Sequence, residues 1–201
     1  LKNINIKKNT NKVSILKTKI CNFRSLFNSL KKICDVKIID NFKLNNNERI
    51  IIPGVGSFPE IMQEFDNEKI NFIQESVKKG NPILGICLGA QIFFTKGYEI
   101  KEIKGLDLIK GSTVSLKTMF DKKNLILPHT GWSEIKYKKH TIFENIDNNS
   151  TFYFTHSFNF VPDDKKIIYA ETPYSSCKIN AVCIKERFFL FLRSLIIDDK
   201  G

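Results

Sequence analysis

The stretch Gly85-Ile86-Cys87-Leu88-Gly89 constrains this chain more than any other. It closes an apolar run, residues 82–86, that reads as a buried strand. It opens another, residues 88–96, that reads as a helix. Glycine two residues either side of a nucleophile, between strand and helix, is the nucleophile-elbow pattern. The turn is so tight that the nucleophile adopts strained backbone angles and the flanking side chains must be nearly absent. Such a turn points the Cys87 thiol out of the sheet. The Leu88 amide and the positive end of the following helix then face the same space, and both favour a thiolate and a developing oxyanion. Taken alone, the pentapeptide also fits a buried structural cysteine beside a glycine turn.

The surrounding pattern supplies the sheet that such an elbow needs. Residues 13–16, 36–39 and 49–52 are short apolar runs. They alternate with helical periodicity at Phe23, Leu26, Phe27, Leu30 and Ile33, capped by Asn22, and again over residues 61–79, stopped by Gly80. Strand–helix alternation predicts a mostly parallel sheet with helices on both faces, and ligands at the carboxyl ends of its strands. The loop at Pro53 and the Cys87 turn leave strands at that same edge. After residue 100 the helix signal fades. Residues 106–116, 124–127, 151–155, 166–170, 179–184 and 188–192 read as strands, expected to be antiparallel and to extend or flank the central sheet.

The 201 residues suit one domain with a full core. Residues 1–12, rich in Lys and Asn, read as a mobile basic arm, and 13–201 as the domain. No apolar run reaches the ~18 residues that span a bilayer, and no signal peptide is visible. The net charge of +11 comes mostly from lysines scattered singly or in pairs. That pattern points away from a nucleic-acid patch. Five cysteines, widely spaced and without C-x-x-C, indicate neither a disulfide framework nor a metal site. A reducing, cytoplasmic setting is expected, and no cofactor is called for.

Two more segments act with the elbow. Ile50-Ile51-Ile52-Pro53-Gly54-Val55-Gly56-Ser57-Phe58 is a strand running into a glycine-rich loop. Tyr153-Phe154-Thr155-His156-Ser157-Phe158 is an aromatic strand ending in His-Ser. Together with Leu84 to Gln91, these segments resemble in order and spacing the class I glutamine amidotransferases, a flavodoxin-like α/β fold. Within that class they are most similar to the glutaminase subunit of imidazole glycerol phosphate synthase, the HisH family. Leu127-Pro128-His129-Thr130-Gly131-Trp132 and residues 105–111 resemble the same family, and so does Asn22-Phe23-Arg24-Ser25.

The resemblance implies that Cys87 attacks glutamine and that ammonia passes to a (β/α)8-barrel cyclase or synthase partner in histidine biosynthesis. Leu88, with Val55 or Gly56, would supply oxyanion donors. Gln91, His156 and Ser157 would hold glutamine. His129 and Trp132 would lie at the partner interface. His156 also reads as a plain core histidine, and Trp132, in the glycine-bearing loop from Pro128 to Trp132, as core. The same subunit type serves surface-polysaccharide amino-sugar synthesis, an alternative pathway.

The carboxyl end departs from the family. A Gln-Phe-His-Pro-Glu-Lys-Ser run is expected there, its His the general base and its Glu the orienter. This chain has Phe188-Phe189-Leu190-Phe191-Leu192-Arg193-Ser194. Matching Arg193-Ser194 to Lys-Ser places the triad His at Leu190 and the Glu at Leu192. Two readings follow: a non-catalytic, partner-binding pseudo-glutaminase, or a carboxyl end altered by a reading-frame error or truncation.

Overall fold

The computed structural model describes residues 9–19, 21, 23–40, 42, 48–120 and 125–192. The first half alternates β1 (Asn9–Leu16), α1 (Phe23–Lys31), β2 (Cys34–Ile39), β3 (Arg49–Gly54), α2 (Phe58–Gln63), α3 (Asn67–Lys78), β4 (Ile83–Cys87) and α4 (Leu88–Gln91). There follow β5 (Phe94–Gly97), β6 (Ile103–Lys104), β7 (Ile109–Ser115), α5 (Leu116–Phe120), β8 (His129–Glu134), β9 (Lys136–Tyr137) and β10 (Thr151–His156). The last strands are β11 (Phe158–Pro162), β12 (Ile168–Tyr174), β13 (Cys177–Lys185) and β14 (Phe188–Phe191).

Eight strands form the central sheet, in the order β2-β1-β3-β4-β14-β13-β12-β9. The first five run parallel and the rest antiparallel. Strand periodicity decides what each face meets. Ile50 and Ile52 of β3 join the core formed with Phe58, Ile61, Phe72 and Ile73 of α2 and α3. Ile51 turns the other way, onto Leu26, Phe23, Phe27 and Leu30 of α1. Helices therefore cover both faces, as parallel strands that are apolar on both sides require. Glu48, buried just before β3, accepts from the Ser14 hydroxyl of β1 and pairs with Lys37 Nζ of β2 at 2.8 Å. Three strands are thus tied at one corner.

The structure corrects several expectations. The helix predicted over 61–79 is two helices, because Asp66 caps a new start by accepting from the Lys69 amide at 2.9 Å. The helix predicted over 88–96 is a single turn. Strand β5 begins at Phe94, and the Phe93 carbonyl in the turn before it accepts from the Leu108 and Ile109 amides. Most of the run from Pro128 to Trp132, read as a loop, lies in β8, and residues 125–127 form no strand. β14 runs parallel to β4, where an antiparallel strand was expected. β1 takes in residues 9–12 of the predicted arm. Residues 1–8, Asn22, Arg193 and Ser194 lie outside the described residues.

Gly85, Gly54 and Gly89 let β3, β4 and α4 close on one another. A Cβ on Gly85 would sit 2.6 Å from Ala90 Cα, one on Gly54 2.6 Å from the Gly89 nitrogen, and one on Gly89 inside the Ile52 carbonyl oxygen. None of these obstacles is a flexible side-chain end. Gly89→Ala is expected to cost more than the ~1–3 kcal/mol typical of overpacking, read as a fall in melting temperature. An unchanged melting temperature would show that the elbow relaxes freely.

Candidate active site

Cys87 ends β4 and opens α4 with φ 55° and ψ −120°. An L-residue adopts these angles only when its surroundings enforce them, and the three glycines let those surroundings close in. Cys87 is partly exposed, whereas Cys34, Cys177 and Cys183 are buried. The Leu88 amide donates to the Cys87 sulfur. α4 is one turn long, so the helix that was to depress the thiol pKa is nearly absent. Burial instead pushes the Cys87 thiol up to about 11, against the opposing Leu88 hydrogen bond. At pH 7 the thiolate is then only about one part in 10⁴.

Cys87 opens onto a cavity of about 320 Å³. Gly54, Val55 and Gly56 form one wall, Leu88 and Gln91 another, and Thr155 to Phe158 a third. β3 and β4 are in register with Gly54 opposite Cys87, which brings the Val55 and Gly56 loop beside the thiol. Gly56 has φ +90°, and Ser57 follows as N-cap of α2 in a reciprocal capping box with Glu60. Sequence reasoning missed Glu99, the one charged side chain among the lining residues. Its carboxylate accepts from the Phe58 amide at 2.5 Å, which holds it at the rim. An acid just past β5, on the edge that carries the elbow, was the available signal. A cavity with a thiol, a carboxylate and backbone groups suits a small amine-bearing amide.

His156 lines the cavity, whereas His129 lies elsewhere than expected. His129, assigned to a partner interface, is 2% exposed. Its ring stacks on Phe154 at 5.2 Å and lies 4.2 Å from the Tyr174 ring. As part of β8 it faces inward, where a loop residue would have been exposed. Its Nδ1 is 3.1 Å from His156 Nε2. His156 Nδ1 donates to the Phe158 carbonyl at 2.9 Å. Gln91 Nε2 donates to the same oxygen at 3.4 Å. Burial pulls the His156 pKa down to about 4, with His129 adding to the shift and the Phe158 carbonyl opposing it. Burial also lowers His129. His140 Nδ1 accepts from the Ile142 amide beside Ile83 and Phe189, at the opening ends of the strands. Trp132 is 57% exposed on β8, its ring edge-on to Tyr153 at 5.7 Å.

Leu190 and Leu192, matched in sequence to the triad His and Glu, are fully buried in the core with Leu88 and Phe93. β14 pairs Leu190 with Gly85 and Phe191 with Ile86. Leu190 is thus level with the strand below the elbow, not with the thiol. The expected placement is corrected: groups that could reach Cys87 from this strand belong after Leu192. Residues 193–201 contain no histidine.

With this geometry established, comparison with known proteins decides the family. A family model for class-I glutamine amidotransferases matches residues 9–190. The chain is 38% identical to the imidazole glycerol phosphate synthase subunit HisH of Pelagibacter ubique (strain HTCC1062), over 85% of this chain and 84% of that one. It is 36% identical to the HisH subunit of Pyrococcus furiosus, over 74% of each.

The chain belongs to the class I glutamine amidotransferases, in the HisH family.

The fold agrees. PurLQS from Thermotoga maritima superposes with a TM-score of 0.66 at 16% identity, over 92% of this chain and 88% of that chain. A glutamine amidotransferase from the same organism gives 0.59 at 15% identity, over 92% of this chain and 76% of that one. Among the described residues no helix is long and apolar enough to cross a membrane.

Two expectations test the electrostatics of this HisH-family site. Alkylation of Cys87 by a glutamine-like diazoketone should quicken about tenfold per pH unit from 7 to 10, as a thiol of pKa near 11 requires. A plateau below pH 8 would show an activated thiolate. The second concerns acid stability. His156 is neutral when folded down to about pH 4, while unfolded it charges below about 6.5. Its contribution is therefore complete above ~6.5 and lost as pH falls towards 4, by up to roughly 3 kcal/mol. Acid melting curves should show this decline, and His156→Asn should flatten it. Equal acid sensitivity in both proteins would contradict the assignment.

Proposed function

We propose that this chain is the glutaminase subunit of a two-subunit amidotransferase of the imidazole glycerol phosphate synthase kind, serving histidine biosynthesis. The observation that carries the reading is the strained Cys87 opening onto a cavity rimmed by Glu99. Glutamine's α-amino group pairs with the Glu99 carboxylate, and its carboxamide reaches the thiol. Sulfur adds to the carboxamide carbon while the Leu88 amide, with Val55 or Gly56, bonds the developing oxyanion. The carbon–nitrogen bond breaks, the thiol proton leaves with nitrogen as ammonia, and a thioester remains. Water then cleaves the carbon–sulfur bond, giving glutamate and the free thiol. Gln91, His156 and Ser157 shape the wall that holds glutamine. Ammonia passes to a synthase or cyclase partner of (β/α)8-barrel type, docked on the face that exposes Val55 and Trp132. The free cysteines suit a cytoplasmic setting.

A specific observation favours a second reading, a partner-binding subunit with little catalysis. Each histidine is already engaged: His156 with the Phe158 carbonyl and His129, His129 with Ser133, and His140 with Ile142. None is left to take the Cys87 proton.

Ammonia release with and without a barrel-type partner separates the two. Turnover should lie at least ~10²-fold below a relative that carries the His-Pro-Glu run, the usual cost of losing a general base. Cys87→Ala should remove what remains. Leu190→His with Leu192→Glu should lower the melting temperature without raising turnover, since both positions are core. Turnover equal to the relative's would place an effective base within residues 193–201 or on the partner.

A further inference from the structure

The two buried histidines form a hydrogen-bond chain whose direction can be read from its acceptor end. The Phe158 carbonyl only accepts, so His156 Nδ1 carries a proton. His156 is neutral in its buried setting, which leaves Nε2 as a bare acceptor. His129 Nδ1, 3.1 Å away, must then carry the proton between the rings. His129 Nε2 is bare in turn and accepts from the Ser133 hydroxyl at 3.0 Å. The chain runs from Ser133 through His129 and His156 to the Phe158 carbonyl. It lies where β10 hands over to β11, so it spans two separate sheets: β10 pairs with β8, and β11 with β7. Ser157, between them, lines the cavity. The Phe158 carbonyl that ends the chain is also the one that Gln91 donates to.

We propose that His129 is a positioning residue for the glutamine wall: it holds His156 as the Nδ1-protonated tautomer, and through that ring it fixes the Phe158 carbonyl and the Gln91 carboxamide. The geometry suits this role. His156 and His129 are directly opposite in the β10–β8 register. The His129 ring is clamped between Phe154 and Tyr174, and the Tyr174 hydroxyl is itself tied to the Ile126 carbonyl at 2.5 Å. A clamped donor presents one proton in one direction. Without it, the Phe158 carbonyl alone selects the tautomer, and a population protonated at Nε2 appears beside the Nδ1–H form. With the proton on Nε2, the bare Nδ1 would face the Phe158 carbonyl, two acceptors against each other. The carbonyl would then turn and release Gln91. His129 acts through His156 and does not touch substrate.

The inference rests on the glutamine reading of the cavity, and the test separates the two. Nitrogen-15 imidazole spectra of the full chain should show His156 protonated at Nδ1. Finding it protonated at Nε2 overturns the proposal. His129→Phe keeps an aromatic ring between Phe154 and Tyr174 but has no proton to give. It should convert His156 to a tautomer mixture and weaken glutamine binding, measured by calorimetry, about tenfold, the scale of one lost hydrogen bond. His129→Asn, which restores a donor near Nδ1, should recover the single tautomer and most of the affinity. Unchanged glutamine affinity and tautomer in His129→Phe overturn the proposal. Absence of glutamine binding in the unaltered chain, with the tautomer present there and lost in His129→Phe, overturns the glutamine reading and leaves the histidine relay standing.

Discussion

The carbonyl oxygen of Ile52 and the α-carbon of Gly89 approach so closely that no side chain fits between them. Much of the site follows from that contact. It presses the first turn of α4 against the end of β3 and leaves Cys87 no ordinary backbone conformation. The same approach stacks Gly54 on Gly89 and Gly85 on Ala90. β3 and β4 therefore end together, with the glycine loop and the thiol on one rim. Strain at Cys87 is sustained by the core on either side of the sheet, since Ile50, Ile52, Leu88 and Phe93 pack on one face and Ile51 and Ile86 on the other.

The electrostatics of the cavity are those of a site at rest. A largely desolvated thiol without a cation or a base stays protonated, and Cys87 does so here. The two imidazoles nearest the cavity wall are held neutral by burial and occupied with each other. The single charged lining group, Glu99, serves the amide that starts α2, so the acid at the rim is coupled to the capping box beside the Val55 loop. A cationic amine bound at Glu99 would compete for that carboxylate and be felt at the loop. In the proposed reading, ligand capture and the arrangement of the oxyanion wall would share that one carboxylate.

Much of the first half was legible because its signals are local. Short apolar runs, helical spacing in α1 and the glycine pair around Cys87 each report on their own neighbours, and the parallel run of the early strands followed. What failed was set by partners distant in sequence. Residues 92–96 read as the continuation of the helix begun at Leu88, yet the Phe93 carbonyl is claimed by the amides of Leu108 and Ile109. The Gly131-containing run looked like a loop, yet it pairs along its length with β10. That pairing turned His129 inward and left Trp132 outside. Glu99 escaped notice because a lone acid carries no pattern. Only folding brings it to the thiol.

The register of β14 has the widest consequence for chemistry. In a parallel pair, side chains at the same level share a height above the sheet floor, and a reactive group must stand at or beyond the strand end to meet the elbow. Leu190 is level with Gly85, two residues before the nucleophile. Leu192, next on the same face, still donates its amide to Ala181 of β13 at 2.9 Å and is fully buried. A polar group at either position would sit among Leu88, Phe93 and Phe188, at the full cost of an unpaired buried charge. The strand core is thus intact and well packed up to the point where chemistry would begin. The absence of a His-Pro-Glu run from the sequence is therefore separable from stability: the fold that bends Cys87 into place does not depend on the residues that would take its proton. A base supplied in the segment beyond Leu192, or across the Trp132 face by a partner, would meet a nucleophile already in position.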